Sequence, residues 1–376
     1  MNSAVEKILV IGGGFSGMSA AIELRKRGIE VDLVEIDPEW RSYGAGISLG
    51  GATLRAFRTL GILEEFLEKG AGADGAHVHL PNGALLATLP TPRIAGPDVP
   101  GGGAIMRPVL AAILAEATRA AGVNVTLGAT FETMTPAGSG VEVKLTNGQQ
   151  DTYDLVIGAD GLFSKVRETV MPDAPRPSYT GQAVWRAVLD RPAGLDSTMI
   201  YVGPKVKVGI NPVSKTEVYV FVTEDRPQKR RLDESEYLDT FVGLLAPFTA
   251  DEVVRVRAEV SNTSQVIYRP LEELLVPLPW HQGRIVLIGD AVHATTPHLA
   301  SGACIGIEDA IVLAEELEKA ETVHAALAAF EARRWERCRM VVKNSLRLGE
   351  IEIEDGDKQE HAGIMRDSMI ALAQPI

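Results

Sequence analysis

The stretch KILVIGGGFSG, Lys7 to Gly17, decides the fold. Lys7–Ile11 is an apolar run with β-branched residues, which reads as a buried strand. It runs straight into a glycine turn. Met18, Ala21, Ile22 and Arg25 then recur at helical spacing as far as Gly28, a C-terminal stop. Val31–Ile36 reads as a second buried strand. Strand, glycine turn, helix and strand in quick succession form a βαβ unit, which implies a parallel sheet.

Each glycine of the turn has a separate duty. Gly12 permits the tight bend, Gly14 lets the backbone approach a pyrophosphate, and Gly17 lets helix and strand pack closely, with Ser16 on the same first turn. The helix N-terminus offers free amides and the positive end of its dipole to phosphates. Glu35 closes the second strand, where a carboxylate accepts hydrogen bonds from ribose hydroxyls and repels a 2′-phosphate, so the site suits FAD or NAD and not NADP. Ile36 follows as a further nucleotide contact.

Outward from this unit, Thr53–Leu60 and Leu63–Lys69 are amphipathic helices, and Pro81-Asn82-Gly83 joins His77–Leu80 to Ala84–Leu89 in a hairpin. Pro90–Gly103 reads as an irregular crossover, and Pro108 opens a helix that runs to Gly122. Val123–Leu127, Val141–Thr146 and Thr152–Ile157 read as strands. A second, mostly antiparallel sheet is expected from Tyr179–Asp190, Met199–Val202, Lys205–Ile210 and Glu217–Val222, interrupted by a helix at Glu234–Leu245. Ile285–Ile288 returns as a buried strand before Gly289-Asp290. One helix after Gly302 and a longer one over Val323–Glu350 finish the chain.

Composition narrows the function. The 376 residues carry a formal charge of −13, which repels phosphate backbones and anionic lipids; no nucleic acid or membrane partner is expected. Two cysteines, Cys304 and Cys338, match neither a disulfide framework nor a metal spacing, and His77 and His79 lack a third ligand, so no metal is expected. The start of the chain leaves no room for a signal peptide, and no apolar run is long enough to span a bilayer. These features read as cytoplasmic.

Two later segments separate FAD from NAD: DLVIGADG at Asp154–Gly161, continuing to Val166-Arg167, and GDAVH at Gly289–His293, continuing through Pro297 and Gly302 to Glu308-Asp309-Ala310. With these the chain resembles the class A flavoprotein monooxygenases, which include the 4-hydroxybenzoate, salicylate, 6-hydroxynicotinate and urate hydroxylases, from Lys7 to about Arg337. The resemblance implies an α/β fold: a Rossmann-like FAD-binding domain with a parallel sheet, a mostly antiparallel substrate domain and C-terminal helices. It divides the chain into an FAD-binding domain of 1–72, 100–177 and 271–320, a substrate domain of 73–99 and 178–270, and a helical segment of 321–376. Asp290 would bond the ribityl chain, Gly302 and Ala303 would aim helix amides at the flavin N1/O2 edge, Arg107 would contact the ribityl-phosphate region, and Leu127 would lie near the adenine. Ser48 would line the flavin face. Asp160 would serve FAD and NAD(P)H, or only cap a Leu162–Val170 helix.

The implied activity is hydroxylation of a small aromatic or N-heteroaromatic ring, hydroxylated and anionic, through a flavin hydroperoxide, with O2 and transient NADH or NADPH. Where relatives carry Gly-Gln-Gly, Ala300–Cys304 here is similar to the 6-hydroxynicotinate enzymes. His298 and Tyr219 are the catalytic candidates, as base or proton relay, against a surface-loop and a filler role. Lys207, Asn211 and Tyr219 are substrate candidates. Period two puts Lys207, Gly209 and Asn211 on one face and Glu217, Tyr219 and Phe221 on another. Lys207 would either face solvent or pair with an anionic substrate, and Arg186 would meet a substrate carboxylate or form a structural ion pair. His293 would hold its loop through backbone hydrogen bonds. A monomer or homodimer fits equally. An FAD-dependent reductase and a non-catalytic flavin scaffold remain alternatives.

Overall fold

In the computed structural model, residues 5–42, 44–263 and 266–376 are described. The βαβ unit is present as the strand Lys7–Ile11, the helix Phe15–Lys26 and the strand Glu30–Glu35. It forms the centre of a six-stranded sheet ordered 281–282, 285–287, 155–158, 7–11, 30–35 and 124–127. The five longer strands run parallel, and only His281–Gln282 is antiparallel, at the edge. Parallel strands buried on both faces need continuous apolar runs, and Ile8 to Ile11 and Leu155 to Ile157 are almost wholly buried. The helices Phe15–Lys26, Arg107–Ala120 and Gly302–Lys319 contribute to the same core.

The expected strand Thr152–Ile157 is two strands in two sheets. Gln150–Tyr153 belongs to a three-stranded antiparallel sheet, and Leu155–Gly158 to the parallel one. The break falls at Asp154, whose carboxylate leaves the ladder to accept from the amides of Glu6 (2.7 Å) and Lys7 (2.9 Å).

A seven-stranded sheet, ordered 267–273, 178–190, 217–225, 206–212, 198–203, 75–79 and 85–90, forms the second layer. It is antiparallel except where 198–203 runs parallel to 75–79. One face carries Trp185, Tyr201, Val208, Val220 and Val222 against Phe241, Phe248 and Val253 of the helical segment beside it. That segment holds the expected helix, Tyr237–Leu245, and a further one, Asp251–Thr263, that was not read from the sequence. The opposite face packs Tyr219, Phe221, Val188 and Ile267 against Ala45, Ala104 and Met106. Alternation along each strand therefore sends successive side chains by turns to the helices and to the nucleotide-binding layer.

The long helix runs Val323–Glu354, and a third C-terminal helix, Lys358–Ala373, follows it. No helix among the described residues is long and apolar enough to cross a membrane.

Candidate active site

The glycine turn shows why those positions tolerate nothing larger. Gly12 has φ +109°, and a Cβ there would lie 2.4 Å from the Ala159 carbonyl oxygen. A Cβ on Gly17 would come within 2.0 Å of the Gly12 carbonyl oxygen, so the helix could not sit on the strand. Gly14 is the reverse case: it is exposed, and a side chain there would meet no protein atom within 4 Å. Its backbone faces open space, as a phosphate seat requires. No side chain caps the helix at Gly14, so its first amides remain available.

Glu35 is pinned to this turn. One carboxylate oxygen accepts from Gly13 N at 2.7 Å and the other from Asp37 N at 2.8 Å. Leu127 pairs in register with Glu35, and Ile36, just past the strand, is 70% exposed. Trp40 escaped the sequence reading: its indole donates to the Gly13 carbonyl at 2.8 Å, and Arg119 lies 4.7 Å over its ring. An isolated tryptophan in a polar stretch was the signal available.

A second group lies where the Gly302–Lys319 helix meets the turn. Ser16 Oγ is wedged between Gly289 and Gly306, where added Cβ atoms would come within 2.4 and 2.3 Å of it. Both glycines are thus required for the approach of that helix to Phe15–Lys26. Ser301 precedes Gly302 but does not cap the helix; its hydroxyl donates to Leu299 O at 2.7 Å. The amides of Gly302 and Ala303 are consequently left for a ligand, near Pro297 in its short 3-10 turn. Asp290 is solvent-exposed at the start of the short helix Asp290–His293. The protein packed around it still raises its carboxyl above the usual range by partial desolvation, with His293 and Arg107 acting the other way. Arg107 lies 5.7 Å over the Phe15 ring and has no carboxylate partner among the described residues. Burial, then repulsion from Arg186, lowers its guanidinium from its ordinary value. A half-buried cation without an ion-pair partner, beside amide-bearing helix ends, fits an anionic, phosphate-bearing cofactor. Asp160 has both oxygens engaged, accepting from Ser164 Oγ (2.5 Å), Lys165 N (2.7 Å) and Val166 N (3.1 Å); the helix it caps starts at Lys165.

The sheet register corrects the assignment of faces. Asn211 pairs with Tyr219 and Gly209 with Phe221, and cross-strand partners in an antiparallel ladder project to the same side. Lys207, Gly209, Asn211, Tyr219, Phe221 and Arg186 therefore share one face, the one turned toward the nucleotide layer. Asn211 Nδ2 donates to Ser48 Oγ at 2.9 Å, which ties this face to the strand Gly46–Gly50. Tyr219 is buried with its ring against Gly46, and its hydroxyl accepts from Arg186 Nε at 3.0 Å. That leaves the phenolic hydrogen without an acceptor among the described residues. Arg186 forms no ion pair among the described residues, contrary to one of its two readings. Lys207 does not face solvent freely: its Nζ lies 2.6 Å from Glu352. The His298 side chain is 2% exposed, with Nδ1 2.8 Å from Thr296 Oγ1, and burial lowers its imidazole from its ordinary value, Glu352 opposing.

Behind the loop, His293 makes the expected backbone hydrogen bond, donating its amide to Gly289 O at 3.0 Å, and its side chain is held as well. Its Nε2 lies 2.5 Å from Asp309 Oδ2, which also accepts from Gly289 N at 2.9 Å, while Oδ1 accepts from Arg334 Nε at 2.8 Å. Burial alone would depress the imidazole, but Asp309 raises it well above its usual value. Burial likewise opposes ionisation of Asp309, yet His293 and Arg334 hold it near 2. His293, Asp309 and Cys338 come within 4.8 Å of one another, but the Arg334 guanidinium in the same cluster would repel a metal cation.

Known proteins share the sequence family and the fold. The family model for an FAD binding domain matches residues 6–345. The chain is 32% identical to the aurachin C monooxygenase/isomerase of Stigmatella aurantiaca, over 92% of this chain and 89% of that protein. It is 31% identical to the 2-heptyl-3-hydroxy-4(1H)-quinolone synthase of Pseudomonas aeruginosa, again over 92% and 89%. Klebsiella pneumoniae HpxO, solved with FAD and uric acid, shares the fold with a TM-score of 0.81 at 24% identity, over 98% of this chain and 93% of that one. Glycine turn, uncapped helix ends, a half-buried arginine and a family match over most of the chain agree: the chain belongs to the FAD-binding-domain family and is an FAD-dependent monooxygenase.

Proposed function

We propose that the protein hydroxylates a small aromatic or N-heteroaromatic ring held between its nucleotide-binding layer and the inward face of the seven-stranded sheet. The observation that carries this reading is the register that brings Tyr219, Asn211, Gly209 and Arg186 onto one face, with Asn211 bonded to Ser48 of the neighbouring layer. A relative named for quinolone chemistry supports a nitrogen heterocycle as one substrate class.

Bound FAD supplies the redox chemistry, taking electrons from NADH or NADPH and activating O2. The chain's own residues bind, orient and exclude water. Gly14 and the uncapped amides at Phe15 seat the pyrophosphate, Glu35 takes the ribose, and Arg107 and Asp290 face the ribityl chain. Gly302 and Ala303 present amides that stabilise negative charge at the flavin edge. Gly209 makes room for the Phe221 ring, which packs where a side chain would project, 2.0 Å from a Cβ placed there. Tyr219 Oη, already accepting from Arg186, has its hydrogen free to donate to a ring oxygen, and can pass a proton through that atom. His298 borders the same chamber and orients the loop over it. The reading places the enzyme in a reducing cytoplasm as a monomer or homodimer, in keeping with two buried free cysteines.

The test is oxidation of NADH and NADPH by the purified yellow protein across aromatic and heteroaromatic compounds, with oxygen uptake and peroxide followed together. One compound should accelerate oxidation and leave with one added oxygen atom. If FAD is bound yet no compound in the panel stimulates oxidation, the hydroxylase reading fails.

A further inference from the structure

Glu352 lies outside every motif discussed above, near the end of the helix Val323–Glu354, yet its carboxylate reaches the inward sheet face. Oε1 is 2.6 Å from Lys207 Nζ and 3.5 Å from His361 Nε2 of the last helix. Oε2 is 3.4 Å from His298 Nε2, close enough for attraction though not aligned as a hydrogen bond. One carboxylate thus gathers a lysine from the substrate sheet, a histidine from the flavin-side loop and a histidine from the C-terminal helix. Burial would push its carboxyl up, but Lys207 first, then the two histidines, hold it ionised.

The approach depends on Gly349, one turn earlier. A Cβ there would come within 3.0 Å of His298 Cε1 and 2.8 Å of Gln182 Oε1. Gln182 Oε1 and His298 Nε2 are both buried without an aligned partner, so this junction holds its polar groups by packing and charge. Lys207 and Glu352 are each 22% exposed, so the pair is not sealed in the core. Without Glu352, Lys207 would place an unopposed ammonium on the face that carries Tyr219, Asn211 and Arg186.

We propose that Glu352 is a specificity-determining positioning residue: by neutralising Lys207 it stops that end of the chamber from selecting anionic rings, so that it accepts a neutral ring. The inference rests on the reading of this face as the substrate chamber. It is tested on the FAD-loaded enzyme by calorimetric dissociation constants for two near-isosteres, 2-hydroxybenzoate (anionic) and 2-hydroxybenzamide (neutral). Glu352→Gln should tighten the benzoate relative to the amide by roughly tenfold, the order of a partly screened unit charge. Lys207→Gln should move the ratio the other way, the double variant should restore it, and Glu352→Asp should keep it near wild type. Those two single variants act independently, so a folding defect in one leaves the other to decide. A ratio unchanged in the folded, yellow variants overturns the proposal, as does absence of binding of both compounds to every variant. Turnover is scored separately: wild-type enzyme stimulated by an aromatic compound, with unmoved ratios, sinks this inference and leaves the hydroxylase reading intact.

Discussion

At the scale of single residues, the site is controlled by atoms that are missing. Gly17 has no Cβ because one would lie 2.0 Å from the Gly12 carbonyl oxygen. Gly17→Ala should therefore cost about 1–3 kcal/mol through forced separation of helix and strand, and the purified protein should lose most of its yellow absorbance at equal concentration. Glu35→Ala should also weaken FAD retention, because it removes a ribose acceptor and frees the Gly13 amide that the carboxylate orients. Unchanged flavin content in that variant would refute the ribose assignment. At His298, replacement by alanine should raise the share of NAD(P)H electrons released as peroxide, read from the ratio of peroxide to oxygen consumed. Unaltered coupling would remove His298 from the chamber.

At the scale of elements, the Gly302–Lys319 helix is locked by the Asp309 network. Asp309 accepts from Gly289 N, His293 and Arg334 with all of them buried, so it ties the loop, its own helix and the long helix Val323–Glu354 together. Asp309→Asn should destabilise by about 3–5 kcal/mol, the usual cost of leaving a buried partner charge unpaired. Its carboxyl is depressed from 3.8 to about 2 in the folded state. The sign follows: a depressed carboxylate contributes stability above its unfolded value, and that contribution fades as pH falls from roughly 4 toward 2. His293, raised in the folded state, contributes fully below its unfolded value near 6.5 and loses that contribution only as pH rises through its much higher folded value. Denaturation midpoints across pH should show the acid limb in wild type and a shallower one in Asp309→Asn.

At the scale of the whole molecule, the last helix acts as a strap. Arg337 donates to the carbonyls of Ala371 and Leu372, Arg55 to that of Ala373, and Asn344 Nδ2 to Ser368 Oγ at 2.8 Å. Leu372 is buried in the main core and His361 faces Glu352. Removing residues 358–376 should lower the melting temperature by several degrees, since burial of each large aliphatic side chain is worth about 1.5–3 kcal/mol. Flavin binding should persist, because the glycine turn and the Gly302 helix lie elsewhere; loss of flavin on truncation would show that the strap also closes the cofactor site.

The nucleotide-binding unit was legible in the sequence because its information is local. Gly12, Gly14, Gly17 and Glu35 lie within one βαβ unit, where each backbone need names its residue type. The parallel sheet followed from the order strand, glycine turn, helix, strand. Spacing along one strand could not tell which strand faces which, so the common face of Asn211 and Tyr219 emerged only from cross-strand register. Nor could it announce Glu352, 145 residues from Lys207, or the engagement of His293 by Asp309. Charges that meet across distant segments leave no periodic trace: Coulomb attraction depends on distance in space, and only the packing of the C-terminal helices against the sheet sets that distance.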